Sequence, residues 1–520
     1  MVSAKQYGLG LGWPVIPGQV PGGVTPTPTP TLLALSIPEA TRLAAPFNGL
    51  EVYQTGVGAA AVISHNYTLA TARSALAPLV TYWVDKATGN NANAGTQAAP
   101  FRSQSKALAM VAASGGLGAM RVKGSLPGQP RVRYLSTDTQ TDGSTVYSDA
   151  LTGTFPDVQV IIEPWNEGEL FDSVQAGPTT TWASTADSAV WKSTNAGILF
   201  DYANLDRFLA PRRLVVLPVL ANGSTEAQVI AAINAAWATY SGLSDDGGPL
   251  YATGLSQKVT GSSSTWVRTF DGRNPATTGL MQTALLTGGP NFTASSRNPL
   301  IFQVGAGYLG GLLGAFAVKG SGGFRPKVTL ANCRFSGSTG DGAFAASGAD
   351  NTQGCDILIF RSTATGGDAD GWNMHQNIYW QELEGGGDWN GWSLSGANNG
   401  TTGHDTSKGD RWNCLYLANQ DRSVHDVNGM VTKLGGCGSS TRRGPDGTPQ
   451  STPFAVGLEG DAGATTMTLI NCRVLNGPNG APQYVSEVNG PNSKIFFTGG
   501  NFVPVVGPSA TPGQVLPYTP

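Results

Sequence analysis

The chain is 520 residues long, with a formal net charge of −3, only 12% charged residues, 71 glycines and 12 Trp, 14 Tyr and 18 Phe. That many aromatics at so low a net charge exclude a disordered chain, and the near-neutral balance excludes the basic face that nucleic-acid binding requires. Glu and Lys are too scarce for helical bundles, so the composition points to β-structure with many turns.

In chain order, "MVSAKQYGLGLGWPVIPG" has neither a continuous apolar core nor an A-x-A-like cleavage site, so no secretion signal of the usual kind is expected. The Thr-Pro alternation within Pro17 to Thr31 favours extended polyproline II, a semi-rigid spacer that cannot pack a core. Residues 1–31 are therefore read as a terminal peptide plus spacer. Residues 32–80 are read as a small head or neck segment, in which His65 is structural. At Tyr82 the style changes: alternating Tyr82 and Val84, then Asp85, an Asn/Gly turn, "PF" and a helix-like "SQSKALAMV".

Short β-runs then recur between Gly, Asn and Ser turns. They include "VQVIIEP" (158–164), "TWVRTF" (265–270), "KVTLANCRF" (327–335), "DILIFRS" (356–362) and "NIYWQELE" (377–384). Further on come "RWNCLYLAN" (411–419), "TMTLINCRV" (466–474) and "KIFFTGGNF" (494–502), before a short tail over 501–520. The apolar stretch Leu300 to Val318 approaches membrane-spanning length, but Gln303 and its glycines favour buried strands. One amphipathic segment, Ser224 to Tyr240, predicts an inserted helix. Five cysteines without CxxC spacing read as buried free thiols.

The β-runs recur at roughly the period of stacked repeats. "VTLANCRF" and "MTLINCRV" share T-L-x-N-C-R, 139 positions apart from Thr329 to Thr468. A stacked repeat explains such an echo, because each turn of chain sits on the one below. A β-sandwich gives no reason for it.

Chemistry concentrates in "DADGWNMHQN" (Asp368 to Asn377). Two acids, Asp368 and Asp370, precede Trp372, Asn373 and His375, and His404–Asp405 and His425–Asp426 follow. Trp372, Trp380, Trp389, Trp392 and Trp412 crowd into the same stretch beside Glu382, Glu384 and Asp388, a composition suited to stacking and hydrogen-bonding sugars. Three chemistries remain open. Hydrolysis needs two carboxyls, for which Asp368, Asp370, Glu382, Glu384 and Asp388 are the supply. Elimination needs a base, His375 or His404, and a cation, Arg361, Arg411 or Arg422, to stabilise an enolate. Asp368, Asp370 and Asp405 could instead ligate calcium; no other cofactor or metal is expected, and the histidine spacing does not suit zinc. Turn-forming Asp-Gly and Asn-Gly pairs account for the same residues without any chemistry. A second acidic stretch, "IIEPWNEGELFD", places Glu163, Glu167 and Glu169 beside Trp165 and reads as a strand edge.

"VDKATGNNANAGTQAAPFRSQSKAL" resembles the opening segment of right-handed parallel β-helix proteins of the pectate-lyase-like superfamily, with Asn91 where that pattern prefers an acid. "TTTWASTADSAVWKST" and "WVRTFDGRNPA" look like further early turns of the helix. "DGWNMH" with "NNGTTGHD" is similar to a pattern of phage and phage-like β-helix proteins. The resemblance implies an all-β, single-stranded right-handed parallel β-helix over residues 81–500, forming a homotrimer. It implies a phage tailspike, made in the host cytoplasm, carried on the virion tail or baseplate through its N-terminus, and acting at the bacterial surface without inserting into a membrane. The expected activity is binding and depolymerisation of a surface polysaccharide, by lyase or hydrolase chemistry. A non-catalytic glycan-binding or structural spike, or a bacterial pectate-lyase-like enzyme, is the alternative. The catalytic expectation rests on Asp368, Asp370, His375, His404 and Asp405. Substrate contacts are expected from Trp372, Asn373, Trp380, Glu382, Glu384, Asp388, Trp389, Trp392, Arg411 and Trp412.

Overall fold

The computed structural model describes residues 80–123 (86 apart) and a series of segments between 138 and 518. Outside the description lie 1–79, 124–137, 202–211, 241–251, 283–290, 366–369, 375–377, 389–406, 442–451 and 502–512, with shorter gaps. The expected head segment and His65 are therefore not described.

The protein is mostly β, and its main sheets are parallel. A twelve-stranded sheet runs from Val80–Asp85 through Leu117–Lys123, Gln159–Pro164 and Leu300–Val304 to Lys494–Thr498 and Gln514–Pro517, with every neighbouring pair parallel. An eight-stranded sheet from Phe171–Gln175 to Arg473–Val474 lies beside it. A five-stranded sheet ending at Asp370–Met374 and a three-stranded sheet starting at Val424–Asp426 complete the set. The chain visits them in a fixed order. Leu300–Val304, Ala306–Gly310 and Phe316–Gly320 fall one each to the twelve-, eight- and five-stranded sheets, and the next three strands pair with them in parallel. The apolar stretch read against a membrane span is these three strands, and no helix among the described residues is long and apolar enough to cross a membrane.

The T-L-x-N-C-R echo has a backbone cause. After each of the eight strands from Leu300–Val304 to Lys494–Thr498 the chain turns a corner through a left-handed residue. Asn332, Asn413 and Asn471 have φ of 56°, 53° and 51°, and Gly305, Gly436 and Gly499 occupy the same step. Asn and Gly adopt this conformation at least cost. The following residue turns inward, where Cys333, Cys414, Cys437 and Cys472 are buried, free and small enough for the corner. Each thiol reaches the carbonyl two residues back, as in Cys414 Sγ to Trp412 O at 3.3 Å.

The opening segment caps the first turn of chain. Asn91 is buried, accepts from the Arg102 and Ser103 amides at 3.1 and 3.0 Å, and donates Nδ2 to Ser103 Oγ at 3.0 Å. Ser103 in turn caps the helix Gln104–Ala113 by accepting from the Lys106 amide. The Asn91 amide thus ties the opening segment to the start of the helix. Asn91→Ala should lower unfolding stability by about 1–3 kcal/mol, because the buried Ser103 amide and the part-buried Arg102 amide lose their acceptor; chemical denaturation checks this.

Two expected early turns lie elsewhere. Ala183–Ser184, Val190–Ser193 and Thr265–Thr269 join a separate seven-stranded sheet and pair antiparallel there. Their alternation is that of any half-buried strand, so the pattern alone did not distinguish the two sheets. The helix Glu226–Tyr240 packs on this sheet through Val229 and Ile233. Its start is a capping box: Thr225 N donates to Gln228 Oε1 at 2.8 Å and Gln228 N to Thr225 Oγ1 at 3.4 Å. The last strand, Gln514–Pro517, extends the long sheet from within the expected tail.

Candidate functional site

Register decides which side chains of the long sheet can meet a ligand. Val328 and Leu330, Ile357 and Ile359, Met467 and Leu469 all face the shared core. Alternation then turns the intervening positions outward. In Tyr379–Leu383 the inward residues are Trp380 and Glu382, and in Lys408–Trp412 they are Gly409 and Arg411. The outward ones are Tyr379, Gln381 and Leu383, then Lys408, Asp410 and Trp412.

Several expected contact residues are therefore interior. Trp380 is 1% exposed, and its indole lies over Gly409, where a Cβ would come within 2.1 Å of the ring. Trp372 is buried, donates Nε1 to Gly386 O at 3.0 Å and packs edge-on against Phe335. Arg411 pairs inside with Asp426 (Nη2 to Oδ1, 3.2 Å), which also accepts from the Thr432 hydroxyl, and sits 5.3 Å from the Trp380 ring. Glu382 Oε2 accepts from the Tyr416 hydroxyl. These side chains form a polar knot within the core and have no face open to a sugar. Asp370 is also buried, on a strand whose Trp372 and Met374 face the core. Gly371 lies within that strand, so the Asp370–Gly371 pair does not form a turn. Asn373 is 2% exposed.

Burial raises the Glu382 carboxyl to about 7, against the opposing pull of Tyr416 and Arg411. A carboxyl whose folded pKa lies above its ordinary value stabilises the fold fully below about 4.5, and that contribution is lost as pH rises through about 7. Glu382→Gln should accordingly flatten the decline in stability between pH 5 and pH 8, a component on the order of 1–3 kcal/mol. Urea unfolding at both pH values measures it. His425 has the opposite sign. It is buried with Nε2 3.2 Å from Gly457 O, and burial, with the Arg422 charge, lowers it to about 3. It is therefore neutral near pH 7, and its stabilising contribution is lost as pH falls through about 3.

What remains outside is a strip across the long sheet. Trp412 is half-buried and its indole covers Gly435, where a Cβ would be 1.8 Å from the ring. Only a bare backbone admits the indole there. At the other edge Tyr379 and Lys408 are half-buried neighbours, with the ammonium 6.0 Å from the ring centre. Between them Gln381, Asp410 and Lys433 stand in register. Gln381 and Asp410 are themselves covered, at 0% and 1% exposure, so the accessible groups flank them. Glu384 and Arg361 occupy the corner step beside Trp412. They pair at 2.7 Å, are about one-third exposed, and hold left-handed φ of 51° and 44° where Asn or Gly is usual in this chain.

The strip supplies a flat aromatic platform, a phenol and several charges, which is chemistry for holding a sugar. Among the described residues no three His, Cys, Asp or Glu are grouped to hold a metal ion. Asp368, His375, Trp389, Trp392, His404 and Asp405 lie outside the described residues, and Asp388 closes the strand Gly386–Asp388. Tyr379, Gln381, Lys408, Asp410 and Lys433 were not singled out from sequence. Counting alternation from the buried Val328 and Leu330 would have found them.

No family model matches the chain, and no curated protein matches it either. Among solved structures, a GH136 lacto-N-biosidase from Eubacterium ramulus is similar at 9% identity, over 84% of this chain and 68% of its own, with a TM-score of 0.33. XylC in complex with xylose is similar at 9% identity, over 84% and 86%, with a TM-score of 0.29. A glycoside hydrolase follows at 9% identity, over 84% and 96%, with a TM-score of 0.25. Likenesses this loose carry no argument about fold or activity.

Proposed function

We propose that the protein is a right-handed parallel β-helix of the phage-tailspike type that binds a bacterial surface polysaccharide along the outer face of its long sheet. The observation that carries the reading is Trp412, half-buried against the bare backbone of Gly435 between the Tyr379–Lys408 edge and the Arg361–Glu384 corner. Pyranose rings stack their C–H faces on such indoles, and neighbouring charges take their hydroxyls or carboxylates. The opening-segment resemblance and the fixed order of the parallel sheets support the β-helix, and the Thr-Pro spacer supports an N-terminal attachment peptide on the virion tail. The assembly is proposed to be a homotrimer, which sedimentation of a chain beginning near Thr81 tests; a clean monomer counts against it.

Depolymerisation is the finer part of the proposal, housed where Asp368, His375, His404 and Asp405 fall. Incubation with a panel of capsular and exopolysaccharides tests it. A rise in ultraviolet absorbance from a new unsaturated sugar identifies a lyase, and loss of viscosity without it identifies a hydrolase. A second reading, a spike that binds without cleaving, is favoured by one observation: Asp370, the acid of the expected catalytic set that the structure describes, is buried on a core-facing strand. Binding with neither signal would establish that reading instead.

A further inference from the structure

The outward column that holds Trp412 begins with a second aromatic cluster. Trp83 pairs in register with Arg121, and Arg121 with Glu163. One position on from the Ile162–Gln303 pair, the column continues through Ala331, Phe360 and Leu383, which are covered at 0%, 4% and 5% exposure, to Trp412, so the accessible groups stand at its two aromatic clusters. The inward partners at this end, Val84, Met120, Val122 and Ile162, lie in the core, so Trp83, Arg121 and Glu163 face out. Trp165 closes the cluster, its ring 4.7 Å from that of Trp83 at 68°. Both indoles are half-buried.

The polar groups around these rings are held in place. Arg121 lies 5.2 Å from the Trp83 ring and donates Nε to Glu163 Oε1 at 2.9 Å. Among the described residues its terminal nitrogens make no further hydrogen bond, and its side chain is 29% exposed. Lys123 lies 5.5 Å from the Trp165 ring, 3.0 Å from Asp85 and is 54% exposed. An indole corner beside a fixed guanidinium suits a pyranose, whose C–H face meets the ring while adjacent hydroxyls accept from the planar donors.

From these observations we infer that Trp83, Arg121, Glu163 and Trp165 form a second saccharide subsite, which takes a distant unit of the polymer held at Trp412. The inference rests on the polysaccharide-binding reading above. Seven strand spacings separate Trp83 from Trp412 in the sheet, roughly 34 Å at about 4.8 Å each. Only an extended chain of several sugars reaches both. Two linked subsites bind such a chain far more tightly than either does alone, and a short oligosaccharide gains nothing from the pair.

The test is affinity electrophoresis of the full chain through gels containing dextran, xylan, alginate, polygalacturonate or hyaluronan, each as long polymer and as tetrasaccharide. Variants are Trp83→Ala, Arg121→Gln and Trp412→Ala; Arg121→Gln leaves both indoles in place should Trp83→Ala disturb the first turn of chain. For the long polymer that retards the wild type, each variant should weaken binding at least about tenfold. For its tetrasaccharide, binding at Trp412 should be unchanged by Trp83→Ala and Arg121→Gln. If both of these bind the long polymer like wild type while Trp412→Ala does not, the second subsite is refuted and the outer-face reading stands. If Trp412→Ala alone is without effect, the role given to Trp412 and the linked pair of subsites both fail, and the cluster at Trp83 alone is the site. Retardation of the wild type by no polymer overturns both.

Discussion

Arg411→Met is expected to be among the most damaging single changes in the chain, lowering unfolding stability by about 3–5 kcal/mol. The guanidinium is 2% exposed and paired with a fully buried Asp426, so its removal leaves a carboxylate in the core without a counter-charge. The double change Arg411→Met with Asp426→Asn should recover much of the loss, because neither charge is then stranded. Denaturant unfolding of the three chains decides the matter. A substrate-binding arginine at the surface would instead leave stability intact and weaken ligand binding.

The second large effect separates two tryptophans. Trp412→Ala should weaken polysaccharide binding by about 1–3 kcal/mol, the scale of losing one well-placed aromatic anchor, with little change in melting temperature. Trp380→Ala should do the reverse, costing about 3–5 kcal/mol of stability as a buried indole is replaced by a cavity, with binding per folded molecule kept. Calorimetry and affinity electrophoresis on the two variants read both quantities. The contrast rests on two glycines at adjacent strands: Gly409 receives the Trp380 indole inside, and Gly435 receives the Trp412 indole outside.

Much of the strand pattern was legible because each strand needs an apolar inward pair and each corner needs a left-handed residue. The runs at 158–164, 327–335, 356–362, 411–419, 466–474 and 494–502 all contain strands of the long sheet or its neighbour. The T-L-x-N-C-R echo is the corner itself, with Asn332 and Asn471 as its left-handed step. What misled was polarity. Glu382, Arg411 and Asp426 look like surface chemistry in a list of residues, yet they neutralise one another inside. A one-residue error of alternation moves every side chain of a strand to the other face, so naming Trp380 and Glu382 as contacts hid Tyr379 and Gln381. The mixed sheet around Thr265–Thr269 was hidden for a different reason: its strands have the same alternation, and only their partners differ.

The most direct test of the outer-face account is hydroxyl-radical footprinting of the full chain with and without a bound long polysaccharide. The account predicts that Trp412 and Tyr379 become protected when polymer is bound, while Trp380 and Trp372 react little in either state. Protection that spares Trp412 and Tyr379, in a chain that demonstrably holds the polymer, would contradict it.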